Sequence, residues 1–161
     1  MRWLRVRKVQ RGAALVEFAL ALPLLFALLL AMVDFGLYFF IEHTVQFATR
    51  EGVRLALVGG RLNDTAGNPM SREASIVQRV RERATVAVDA THLEISIFPL
   101  NPDYSEPVNW SGMQNAGAPG GYMRVRTRYT YTFITPMLSA LVPGGHLYAQ
   151  GEATYRNEFF Q

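Results

Sequence analysis

The stretch Arg11–Arg54, RGAALVEFALALPLLFALLLAMVDFGLYFFIEHTVQFATREGVR, decides the fold. From Ala13 to Ile41 nearly every residue is Ala, Leu, Val, Phe, Met or Tyr, and the acids are Glu17 and Asp34. As a helix rising ~1.5 Å per residue this segment is ~43 Å long, enough to cross a hydrocarbon core of ~30 Å. Its apolar residues surround the helix on all sides, which suits lipid better than the one-sided core of a soluble domain. Pro23 and Gly36 lie inside it, and membrane helices tolerate both, Pro23 with a local kink.

The flanks give the segment a direction. Arg2, Arg5, Arg7, Lys8 and Arg11 precede it without an acid, whereas Glu42, His43, Arg50 and Glu51 follow it. The positive-inside bias places the N-terminus in the cytoplasm and the remainder outside. A secretory signal peptide has an apolar core of ~7–15 residues closed by a small-residue cleavage site. The run here is longer, lacks an A-x-A closure and passes straight into further helical sequence, so removal by that route is not expected.

Glu17 is the informative residue within the stretch. An acid near a helix N-terminus gains ~0.3–1 kcal/mol from the macrodipole. That is less than the several kcal/mol needed to place an unpaired acid in lipid. Glu17 therefore needs a partner, and a chain cut after Gly12 would supply one in the new amine of Ala13, on the same chain or a neighbour.

Composition removes several function classes. The formal charge is +3, but five of the sixteen basic residues and none of the thirteen acids lie in residues 1–12. Without that leader, eleven basic residues face thirteen acids, a net of about −2, so no nucleic-acid partner is expected. Cysteine is absent, which excludes a thiol nucleophile, a disulfide framework and a cysteine metal site. His43, His92 and His146 are scattered with no ligand-pair spacing, and neither a G-x-S-x-G elbow nor a phosphate-binding glycine loop is present. Asp103 and Glu106 sit in a Pro-rich loop, a poor support for a rigid acid pair. We expect no catalytic residue, metal or cofactor.

Beyond the membrane segment the helix continues to about residue 58. Ile41, Val45, Ala48, Gly52 and Leu55 share one face, with Gly59 and Gly60 ending it. Ala48 and Gly52 make that face small enough for close backbone approach, either by the chain's own domain or by neighbouring helices. Residues 61–69 read as a loop, and residues 70–90 as a second helix capped by Ser71 or Asn68. Leu93–Phe98 alternate as a strand.

Residues 99–121, with four prolines, form a long loop in which Trp110 and Tyr104 are either partner contacts or a lid on the domain. Residues 122–134 give the clearest strand: Met123, Val125, Thr127, Tyr129 and Tyr131 point one way, Arg124, Arg126 and Arg128 the other. Pro136 and Pro143–Gly145 mark a connection to a last strand over 147–157. Three arginines in one row repel unless paired, and Glu94 and Glu152 are the expected cross-strand partners. The expected architecture is α+β: leader 1–12, N-terminal helix 13–58 spanning the membrane over about 18–41, and a domain over 61–161 with one further helix and an antiparallel sheet of about three strands.

On the residues GAALVEF, the basic leader before them and ATREGVR beyond, the chain resembles the TadE-like minor pilins (pseudopilins) of tight-adherence pilus systems. The resemblance covers about Arg11–Arg54 and carries Gly12, Glu17, Phe18, Pro23 and Ala48–Arg54; EATYRNE resembles the closing strand more loosely. It implies a prepilin peptidase cutting between Gly12 and Ala13, with the protein as substrate rather than catalyst. It further implies Glu17 and Phe18 acting in assembly, partners among minor and major pilin subunits and the pilus assembly platform, and residence in the bacterial cytoplasmic membrane. The alternative is a membrane-anchored extracytoplasmic binding domain whose helix is only an anchor.

Overall fold

The computed structural model describes residues 4–57 and 60–158, with residues 4–11 described by backbone alone. A single helix α1, Leu4–Leu57, carries the whole architecture. It begins inside the expected leader rather than at residue 13. The physical reason is local: Leu, Arg, Lys and Gln are good helix formers, and one Gly12 costs only about 1 kcal/mol against alanine. Helix α1 runs through Pro23 without interruption. Residues 58 and 59 lie outside the described residues, but the Gly60 N–H donates to the Leu55 carbonyl at 3.0 Å, which helps close the helix.

Helix α2, Arg72–Ala84, starts where the Ser71 hydroxyl accepts from the Ala74 N–H at 3.1 Å. It is shorter than the expected 70–90. The β-branched Thr85, Val86 and Val88 lower helix propensity, and Asp89 caps a separate 3₁₀ turn, Ala90–His92. Strands β1 (Glu94–Pro99), β2 (Tyr122–Thr132) and β3 (His146–Arg156) form one antiparallel sheet in the order β1-β2-β3. The long connection between β2 and β3 contains a short helix α3, Pro136–Leu141, where the sequence pattern indicates only a connection.

The sheet has two differently covered faces. On one, Ile95, Ile97, Met123, Val125, Tyr131, Ala149 and Tyr155 pack with Val45, Ala48 and Val53 of α1 and Ile76, Val80 and Ala84 of α2. On the other, the arginine row is covered by loop 99–121. Segment 112–115 of that loop also lines the free edge of β1: Ile97 N–H donates to the Met113 carbonyl at 2.7 Å and Asn115 N–H to the Ile97 carbonyl at 2.8 Å. The layers are therefore helices, sheet and loop, and the domain grips α1 only from Asp34 onward.

Candidate functional site

The N-terminal half of α1 is bare. From Gly12 to Val33 no residue is buried, and Leu15, Phe18, Leu20 and Leu24 all project outward. The Gly12–Ala13 bond lies in this bare helix, and a Cβ built on Gly12 would meet nothing within 4 Å. Packing among the described residues thus gives no reason for glycine at position 12. Glu17 is exposed beside Phe18 and makes no hydrogen bond or ion pair with any described side chain. The structure keeps Gly12, Ala13, Glu17 and Phe18 together on one accessible stretch of helix.

The boundary of this stretch is set by Asp34, which does not lie open to solvent at the end of the apolar run. Its carboxylate is instead 1% exposed and fully engaged. It accepts from the Tyr131 hydroxyl, the Ile134 N–H and the Thr135 N–H, each at 2.9 Å. Phe35 and Tyr38 stack edgewise or tilted on Phe133 and Tyr131, closing an aromatic collar around the carboxylate. Burial first, and then the hydrogen bond to Asp34, push the Tyr131 hydroxyl up to about 12, so it remains a donor across the physiological range. The general signal was available: an acid in an apolar helix requires partners. Their identity was not, because they lie about a hundred residues away along the chain.

Ala48 and Gly52 face the chain's own domain. Ala48 is fully buried, and a Cβ on Gly52 would come within 2.5 Å of Val80 Cγ2 and 3.2 Å of the Ile76 carbonyl oxygen on α2. On β3, a Cβ at Gly151 would approach Val45 O of α1 to 2.9 Å, so small residues on both sides bring helix and sheet together. The small face is thus filled by α2 and β3, and the face left open to another chain carries Phe40, His43 and Phe47 instead.

Trp110 is folded back over the sheet. Its ring lies 5.5 Å from Phe98, and the Arg126 guanidinium sits 4.2 Å over it. Glu106, from the same loop, binds both Arg124 and Arg126, and Glu152 binds Arg126 from β3. Glu94 stands opposite Arg128 in the register, yet the loop carboxylate Glu106, rather than Glu94, joins Glu152 in neutralising the row. Asn157, just beyond β3, is buried; its side chain donates to the carbonyls of Ala116 at 2.7 Å and Ala118 at 2.9 Å and accepts from Arg72 at 2.9 Å, which clasps the loop's end. Among the described residues no group of three or more His, Asp or Glu is placed to hold a metal ion.

The family model described as TadE-like protein matches residues 12–54, the segment that contains the bare helix, Asp34 and the small face. No curated protein and no solved structure matches the chain.

Proposed function

We propose, from the premise that residues 12–54 make this chain a TadE-like protein associated with Tad pili, that it is a minor pilin or pseudopilin made as a precursor. A prepilin peptidase of the bacterial cytoplasmic membrane cuts between Gly12 and Ala13. The new amine then pairs with Glu17, on the same chain or the next, and this charge-assisted contact aligns subunits for assembly of an adhesive pilus. Other pilin subunits and the membrane assembly platform are its partners.

The observation that carries this reading is the division of α1. The matched segment begins with a bare apolar half holding Gly12, Ala13 and a Glu17 that pairs with no described side chain, and ends in a half covered by a folded domain. We take the span as Gly12–Val33, toward the N-terminal side of the expected 18–41, because the domain covers α1 from Asp34 onward. Those residues give a helix of ~33 Å, which matches a ~30 Å hydrocarbon core. The basic leader lies on the cytoplasmic side and the domain on the other.

The deciding measurement is the mass of the N-terminal peptide from cells with and without a prepilin peptidase. An N-terminus at Ala13 only when the peptidase is present is the expected result. An intact leader in both strains reduces the helix to a plain anchor. Gly12→Val should block processing, whereas Glu17→Val should leave cutting largely intact and impair assembly. Normal piliation with both substitutions would sink the proposal.

A further inference from the structure

We infer that the connection between β2 and β3, built around α3, is a second membrane contact that seats the domain on the outer lipid surface. The inference rests on the reading that the bare half of α1 spans the membrane. The level of the connection is fixed by Asp34: its carboxylate holds the N–H groups of Ile134 and Thr135, so the segment is pinned to the helix just where the bare half ends. Strand β2 runs down to this level and β3 leaves from it, with Thr132 paired to His146.

The chemistry of the segment is that of a lipid boundary. Ile134 is 69%, Met137 50% and Leu141 73% exposed, although Leu138 and Val142 beside them pack on the core. From Tyr129 to Gly151 the chain contains no Asp, Glu, Lys or Arg. The other loops of the domain do carry charge: Arg61 and Asp64 follow α1, and Asp103 and Glu106 lie in loop 99–121. A solvated turn has no reason to lose every charge while exposing three large aliphatic side chains. Tyr148 is exposed at the same end, with the Tyr38 hydroxyl donating to its carbonyl at 3.3 Å, and tyrosines suit the headgroup level. The occupant is therefore the headgroup–acyl boundary of the bilayer that α1 already crosses, into which an interfacial element sinks ~5–10 Å. With the helix and α3 both held in lipid, the domain has a fixed height and a fixed face toward the membrane before any partner arrives.

The absence of cysteine allows a direct test. Single cysteines are placed at Met137 and Leu141, with Leu25→Cys in the bare helix and Val108→Cys in the lid as references. Each full-length chain is labelled with an environment-sensitive fluorophore and reconstituted at low density into phosphatidylcholine–phosphatidylglycerol vesicles. Emission is then quenched either by brominated acyl chains or by aqueous iodide. Labels at positions 137 and 141 should follow position 25, losing emission to the brominated lipid and little to iodide, while position 108 shows the reverse. Iodide quenching at 137 and 141 equal to that at 108, with position 25 still in lipid, would overturn the second contact and leave the span intact. Iodide quenching at position 25 would overturn the span and this inference with it. Protection of 137 and 141 from both quenchers would overturn it in favour of a second copy of the chain covering the patch.

Discussion

The two halves of α1 share one backbone conformation and almost nothing else. Gly12–Val33 is apolar on every side and nothing packs on it. Asp34–Leu57 is sided: Ile41, Val45, Ala48, Val53 and Ala56 are buried, whereas Arg50 and Arg54 point to solvent. The first half satisfies its backbone internally and exposes its side chains, as a lipid-facing helix would. The second half draws its stability from a packed face of small residues. Asp34 stands at the seam, and its hydrogen bonds make the seam a definite position rather than a gradual change. Helix formation alone therefore says little about what surrounds a helix; side-chain size and the placement of a single acid decide it.

The largest expected effect comes from breaking that seam. Asp34→Ala takes the acceptor from two part-buried backbone N–H groups and leaves the Tyr131 hydroxyl only the carbonyl of residue 34 at 3.2 Å, and should cost about 3–4 kcal/mol of domain stability. The matching change in the bare half, Glu17→Ala, should leave domain stability within about 0.5 kcal/mol. Denaturant unfolding of the detergent-solubilised chain, followed by Trp110 fluorescence in a Trp3→Phe background, measures both. Equal losses would mean that the halves are not independent. A second contrast uses one residue type in two settings. Gly52→Val drives a side chain into Val80 and the Ile76 carbonyl and should cost about 2–3 kcal/mol. Gly12→Val meets nothing among the described residues, so it should leave the domain's melting unchanged while blocking processing.

How far the sequence carried these contrasts depends on the range of each signal. The long helix, the strand around Met123–Val125–Thr127 and the small face at Ala48 and Gly52 all follow from periodicity, which is local. Periodicity identifies a small face without saying what fills it, so α2 and β3 as its occupants came only from the fold. The partners of Asp34 and the Glu106 that neutralises the arginines were illegible for a different reason. Tyr131 and Asp34 are brought together by tertiary folding, and Glu106 lies in an irregular loop with no register to count from. Gly12 and Glu17 are legible solely as a pattern within residues 12–54. Among the described residues nothing packs on Gly12 and no side chain pairs with Glu17.

Smaller effects should appear as one moves away from the helix to the outer layer of the sheet. Trp110→Ala removes a half-buried ring held between Phe98 and Arg126, and should cost about 2 kcal/mol. The loss should be read by the thermal unfolding of the domain, with the bare half of α1 unchanged in helical content by circular dichroism. A loss as large as that of Asp34→Ala would show that the lid, rather than the seam, holds the domain to the helix.

The lid should also respond to acid in a way that the bare half does not. Glu106 is held below the usual glutamate value of 4.5, chiefly by its hydrogen bond with Arg126 and also by Arg124. Its pKa is lower folded than unfolded, so its contribution is fully present above that usual value and disappears as pH falls through the lower, folded value. Losing the charge-assisted contacts should cost about 1–2 kcal/mol, the smallest loss expected within the folded domain. Glu106→Gln should remove the same increment at neutral pH and abolish its acid dependence. Because Trp110 lies over Arg126, the ion pair's release should change Trp110 emission below the ordinary carboxylate range, in the Trp3→Phe background, while the far-ultraviolet signal of α1 stays constant. If the helical signal falls together with the emission, the lid and the helix form one cooperative unit, and the division between the halves of α1 is less complete than the packing at Asp34 implies.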